Sequence, residues 1–142
     1  MTSISKVKKG IVGLMVVGHR EYWPQFPGMR ERLLENAAGF ERLLQRGGTE
    51  VVTYAASDGT QMCDSTEESY KAGVFFKSED VDLLFVFLTT YVASGRYVQG
   101  LLACPAPVVV IGYQKDNDFE GLQLYEQTAN GSPCQMPEAY NA

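Results

Sequence analysis

A three-layer α/β sandwich around an open parallel sheet is the fold class that this 142-residue sequence predicts, and three observations carry the prediction. Four apolar runs rich in Val, Ile, Leu and Phe are continuous rather than alternating, which is the pattern of strands covered on both faces. Stretches of helical period stand between them, so strand and helix alternate along the chain. Hydrophobic residues make up 45% and charged residues 20%, a balance that lets one domain of this length bury a core.

The elements follow in order. "IVGLMVV", Ile11 to Val17, is the first strand. From Met29 to Arg46, the residues Met29, Leu33, Ala37, Phe40 and Leu44 recur at spacings of four and three and form one apolar stripe. Arg30, Glu31, Glu35, Glu41 and Arg42 lie largely off that stripe, and Gly47-Gly48 stops the helix. "EVVTYA", Glu50 to Ala55, is the second strand. The second helix opens at "DSTEES", where Ser65 and Glu68 stand at capping-box spacing, and runs through Ala72, Gly73 and Phe76 to the region of Lys77. "VDLLFVFL", Val81 to Leu88, is the third strand. A short helix over 95–103, ended by Pro105, leads to "PVVVIG", Pro107 to Gly112, the fourth. Right-handed crossovers then put helices on both faces, and a reversal beside the first strand gives the flavodoxin-like order 2-1-3-4. The segment after residue 118 has little periodicity. The domain is therefore read as 1–118, with 119–142 a truncated connection into a following domain.

Composition excludes several function classes. A net charge of -5 gives no general attraction to nucleic acid. No apolar run reaches the roughly 18 residues of a membrane span, and no cleavage site marks a signal peptide. Cys63, Cys104 and Cys134 are odd in number and widely spaced, which suits free thiols in a reducing cytoplasm rather than zinc or disulfides. Neither GxxxxGK[ST] nor a well-placed GxGxxG is present. With one His, no metal cluster and no nucleophile–base pair is signalled, so no catalytic residue and no metal ligand is assigned.

Ligands of open parallel sheets bind beyond the C-terminal ends of the strands. The loop after the first strand, "GHREYWPQF", crowds the only His and the only Trp of the chain into five residues. The loops "ASDGTQMCDST", "TTYVASGR" and "GYQKDND" share its edge. Aromatic rings beside amides, hydroxyls and Arg suit a polyhydroxylated ligand, the rings packing on C–H faces and the polar groups meeting hydroxyls. Simpler roles stand beside this one. Trp23 and Phe26 could simply pack the first helix onto the sheet, the role expected for Phe26, Arg20 and Glu21 could be solvated, His19 makes either a structural hydrogen bond or a ligand contact, and Tyr91 caps a strand or binds.

"VGLMVVGHREYWPQFPGMRERLLENAAGFERLL", "EDVDLLFVFLTTYVAS" and "PVVVIGYQ" resemble the N-terminal domain of the L-arabinose isomerase and L-fucose isomerase superfamily. The resemblance covers almost the whole chain, down to "NGSPCQMPEAYNA". It implies an aldose–ketose isomerase, a metal-dependent ketol-isomerase that moves a proton between C1 and C2 of an opened sugar. The Mn2+ of such an enzyme, and its acid–base carboxylates, belong to later domains, so no cofactor is expected in this chain and it should not isomerise sugar alone. The N-terminal domain supplies substrate-pocket residues and subunit contacts. Its partners are thus a small-molecule sugar, the remaining domains and further copies in a homo-oligomer, with no nucleic acid or membrane. Set on the family's loops, substrate-binding roles fall on Arg20, Tyr22, Trp23, Tyr91 and Gln114, with His19 a further candidate. Gln114 is identical to the family residue, Trp23 and Tyr91 are aromatic replacements, and Arg20 and Tyr22 are departures. The alternative is a stand-alone flavodoxin-like binding module for a small polar ligand.

Overall fold

In the computed structural model, which describes residues 10–112, a parallel sheet lies between two helical layers. The strands are β1 (Ile11–Val17), β2 (Glu50–Thr53), β3 (Met62–Cys63), β4 (Leu83–Leu88) and β5 (Val108–Gly112). The helices are α1 (Met29–Arg46), α2 (Thr66–Ser78) and α3 (Val98–Ala103), with 3-10 turns at Arg20–Tyr22 and Ser94–Arg96. All pairings are parallel and the order is β2-β1-β4-β5, with β3 also on β1. This is the order expected from sequence, with one strand added.

The added strand shapes the site. One edge of β1 pairs with β4 from Val12 to Val17. Its other edge is shared: Ile11 to Leu14 pair with β2, and Val16 and Val17 pair with Met62 and Cys63 of β3. Between these pairings the chain leaves the sheet after Thr53 and rejoins it at Met62, so residues 54–61 form an excursion at the C-terminal edge. A two-residue strand carries no readable period, which is why β3 was not visible in the sequence.

The apolar pattern sorts into two layers. α1 lays Met29, Leu33 and Ala37 against Leu14, Val16, Met62 and Phe87. Phe40 joins them, stacking on Phe87 at 5.5 Å. On the opposite face α2 and α3 cover Met15, Val17, Leu84, Val86 and Leu88, with Ala72, Phe76 and Tyr97 fully enclosed. β1 is buried along nearly its whole length, as a strand covered on both faces should be. β5 departs from that expectation, with Val108 and Val109 37% and 40% exposed. It is an edge strand of the described sheet, bonded to β4 alone. Among the described residues no helix is long and apolar enough to cross a membrane. The expected connection at 119–142 lies outside the described residues.

Candidate functional site

The loop after β1 is drawn over the end of its own strand. Gly18 makes this possible: a Cβ there would stand 2.6 Å from Met62 Sδ and 2.9 Å from the Cη2 and Cζ2 atoms of Trp23. The indole therefore occupies the space a side chain at Gly18 would take. Gly18 N–H donates to Cys63 O at 3.2 Å, which continues the β1–β3 ladder one residue further. Arg20, Glu21 and Tyr22 then form the 3-10 turn, with Trp23 at its end.

The ladder brings Asp64 beside this turn. Asp64 is 8% exposed. Its Oδ1 accepts from Arg20 Nε at 3.2 Å and Nη2 at 2.9 Å, and its Oδ2 accepts from Trp23 Nε1 at 2.8 Å. The hydrogen bond and charge of Asp64 raise the pKa of the Arg20 guanidinium further above its ordinary value.

A cleft of about 410 Å³ opens here, within the size range of small-molecule sites. Arg20 and Trp23 line one side of it, and Ser57 and Asp58 come from the 54–61 excursion. Asp64 and Glu68 reach it from the start of α2, and Arg30 from the first turn of α1. Arg30 ties that helix to the excursion, donating to Asp58 Oδ2 and, at 3.1 Å, to Thr60 Oγ1. Burial pushes the Asp58 carboxyl upward, but the backbone and hydroxyl donors of Thr60, and then Arg30, outweigh it and hold the pKa below the ordinary value.

Glu68 is only half of the expected capping box. Ser65 Oγ does accept from Glu68 N–H, at 3.2 Å. The Glu68 carboxylate turns the other way and takes the Ser57 hydroxyl, Ser57 N–H at 3.2 Å and Tyr54 Oη at 2.8 Å. A glutamate at the third helical position can bond its own cap or the next strand's loop; three donors from β2's exit win over one. The Ser57 hydroxyl is the largest cause of a lowered Glu68 pKa; burial opposes it, and the Tyr54 hydroxyl reinforces it. Because the folded value lies below the unfolded one, Glu68 contributes stability that is complete above the ordinary carboxylate value of 4.5 and is lost as pH falls from there through the folded value. Urea midpoints should therefore drop with acid below that point, and a Glu68→Gln variant should show a shallower acid dependence; parallel profiles would contradict the assignment. Cys63, beside these carboxylates, has its thiol pushed up to about 12, by burial first and then by the charges of Glu68, Asp64 and Asp58. It stays protonated at neutral pH and is a poor nucleophile.

Of the residues expected from sequence, Arg20 and Trp23 come together in the cleft. Tyr22 turns toward α1, packing on the Leu14–Met29 cluster and edge-on to Phe26 at 5.9 Å. Phe26 joins the same cluster, the packing role expected for it. His19 meets Tyr22 edge-on at 4.5 Å and lies 3.4 Å, Nε2 to Oε2, from Glu21. His19 N–H donates to Thr90 Oγ1 at 2.9 Å, and Arg96 Nη2 to Glu21 Oε1 at 2.7 Å, so the β1 loop is strapped to the loop after β4. Tyr91 follows β4, which flanks β1 on the side opposite β3, and is not among the residues lining the cleft. Gln114 lies outside the described residues. Sequence reasoning missed Asp64, Glu68 and Arg30. The available signal was "CDST": an Asp between an apolar pair and a helix cap, at the height where parallel strands end.

Among the described residues no group of three or more His, Cys, Asp or Glu is placed to hold a metal ion. Compared with protein-family models, the chain matches none, and no curated protein matches it either.

Proposed function

We propose that this chain is the N-terminal domain of an aldose–ketose isomerase of the L-arabinose and L-fucose type, and that its cleft binds the hydroxylated chain of the sugar. One observation carries the reading: an indole and a guanidinium are fixed on a single buried carboxylate at the C-terminal edge of a parallel sheet. A ring supplies a face for C–H groups, and the Arg fork supplies paired N–H donors for neighbouring oxygens. Two arginines and three carboxylates line the cleft, so it offers both donors and acceptors to a polyol's hydroxyls. The described residues do not fit the Mn2+ that the resemblance implies for the whole enzyme, and no step is assigned to a cation here. Cys63 and Cys104 are free and buried, which supports the reducing cytoplasm as the compartment.

Trp23 is the only tryptophan of the chain, so its emission reports on the cleft directly. Titration with L-arabinose or L-fucose should change that emission saturably, in roughly the millimolar range for a domain that supplies part of a pocket. A monohydric alcohol at the same concentration should leave it unchanged. A flat response to every aldose tried, with the fold intact, would refute the reading.

A further inference from the structure

We propose that Asp64 is the positioning residue of the cleft: its carboxylate joins the Arg20 guanidinium to the N–H of the packed Trp23 indole as one unit, so that neither polar group is held in its binding geometry without it. The turn at Arg20–Tyr22 has no side-chain cap and no buried residue, so local structure does not orient the Arg20 guanidinium, and packing on Gly18 and Met62 seats the Trp23 ring without engaging its N–H. Asp64 engages both, one oxygen for each: Oδ1 for the two Arg20 donors, Oδ2 for the indole N–H. These partners are 44 and 41 residues away in sequence, and they meet because β3 pairs with β1. Asp64 immediately precedes Ser65, the N-cap of the 13-residue α2, and the positive end of that helix favours its charge.

Stability does not account for the arrangement. The Arg20 side chain is 58% exposed, and ion pairs of that kind add little, whereas removing a carboxylate from water is costly. What the contact supplies is geometry. A guanidinium has five N–H donors; Asp64 engages the Nε side of the fork and leaves the Arg20 head on an exposed side chain facing the cleft. The consequence for binding rests on the sugar-cleft reading; the positioning itself does not.

The test uses the ligand-free chain. Its one indole N–H gives a single tryptophan side-chain cross-peak in a ¹H–¹⁵N spectrum. In the native chain that proton should be protected from exchange with solvent. Asp64→Ala should move the cross-peak and speed exchange by about tenfold or more, the ratio a lost charge-assisted hydrogen bond carries. Asp82→Asn is the control for general loosening, since Asp82 accepts from Ile11 N–H at the other end of β1; it should leave the cross-peak in place. An indole proton in the native chain exchanging as fast as in free tryptophan overturns the proposal even if Asp64→Ala does not fold. So does a folded Asp64→Ala chain with an unmoved cross-peak, or an equal shift in Asp82→Asn. If the indole signal depends on Asp64 but L-arabinose leaves the native chain unperturbed, the positioning is upheld and the sugar reading alone fails.

Discussion

Replacing Gly73 by alanine is expected to destabilise the fold by roughly 3 kcal/mol, the upper part of the range for forcing atoms into a packed interior. Two effects oppose one another at this site. Alanine is the better helix former by about 1 kcal/mol, so on propensity alone the change in α2 should stabilise. Against that, a Cβ at Gly73 would lie 1.9 Å from Gly100 O and 2.6 Å from Gly100 C, and one at Gly100 would lie 2.1 Å from Ser69 O. These are backbone atoms of α2 and α3, so no rotamer change relieves the clash. The helices must move apart, and α3, only six residues long, is held to the sheet largely through α2 and the Tyr97–Leu101 cluster. Urea unfolding of Gly73→Ala and Gly100→Ala should give lower midpoints with an unchanged m-value. A stabilised Gly73→Ala chain would mean that the two helices do not approach this closely.

Arg20→Ala should weaken sugar binding by about tenfold or more, since a hydrogen bond to a charged group is worth about 1.5–3 kcal/mol. The same variant should lower stability only modestly, by about 1 kcal/mol: buried Asp64 loses its two Arg20 donors but keeps the Trp23 indole N–H and the N-terminus of α2. That separation makes Arg20 the cleaner probe of the pair. Trp23→Ala should weaken binding as well, but it also removes packing against Met62 and Gly18, so its effect mixes affinity with stability. Calorimetric titration of both variants with the sugar that binds the native chain measures the difference. Unchanged affinity in a folded Arg20→Ala chain would make the loop after β1 a plug that seats α1.

The legible parts of the fold are those in which one local signal dominates. β1 and α1 were readable to the residue, because an unbroken apolar run and a clean four-three stripe each admit one solution. β3 was not, because Met62 and Cys63 are strand residues only through pairing with Val16 and Val17. That tertiary contact also hid the site. Asp64 looks like part of a capping sequence until β3 sets it beside the turn at Arg20. Glu68 looks like the far half of a capping box until the excursion from Tyr54 to Gln61 offers it three donors. Tyr22 shows the opposite case. Its place in an aromatic loop suggested a ligand contact, but Tyr22 and Trp23 both pack on the α1 cluster and only Trp23 also lines the cleft. Topology indicated the edge at which the cleft opens; which side chains converge there depended on a two-residue strand.

The central claim is that the cleft between the β1 turn and the 54–61 excursion takes a polyhydroxylated ligand. A ¹H–¹⁵N titration of the native chain with L-arabinose, and in parallel with L-fucose, tests it residue by residue. Saturable shifts should gather at the Arg20 and Trp23 side chains and at the amides of Ser57, Asp58 and Asp64, with those of α3 and β5 unmoved. Shifts that gather on β5 and α3 instead, or none at any sugar concentration, would contradict it.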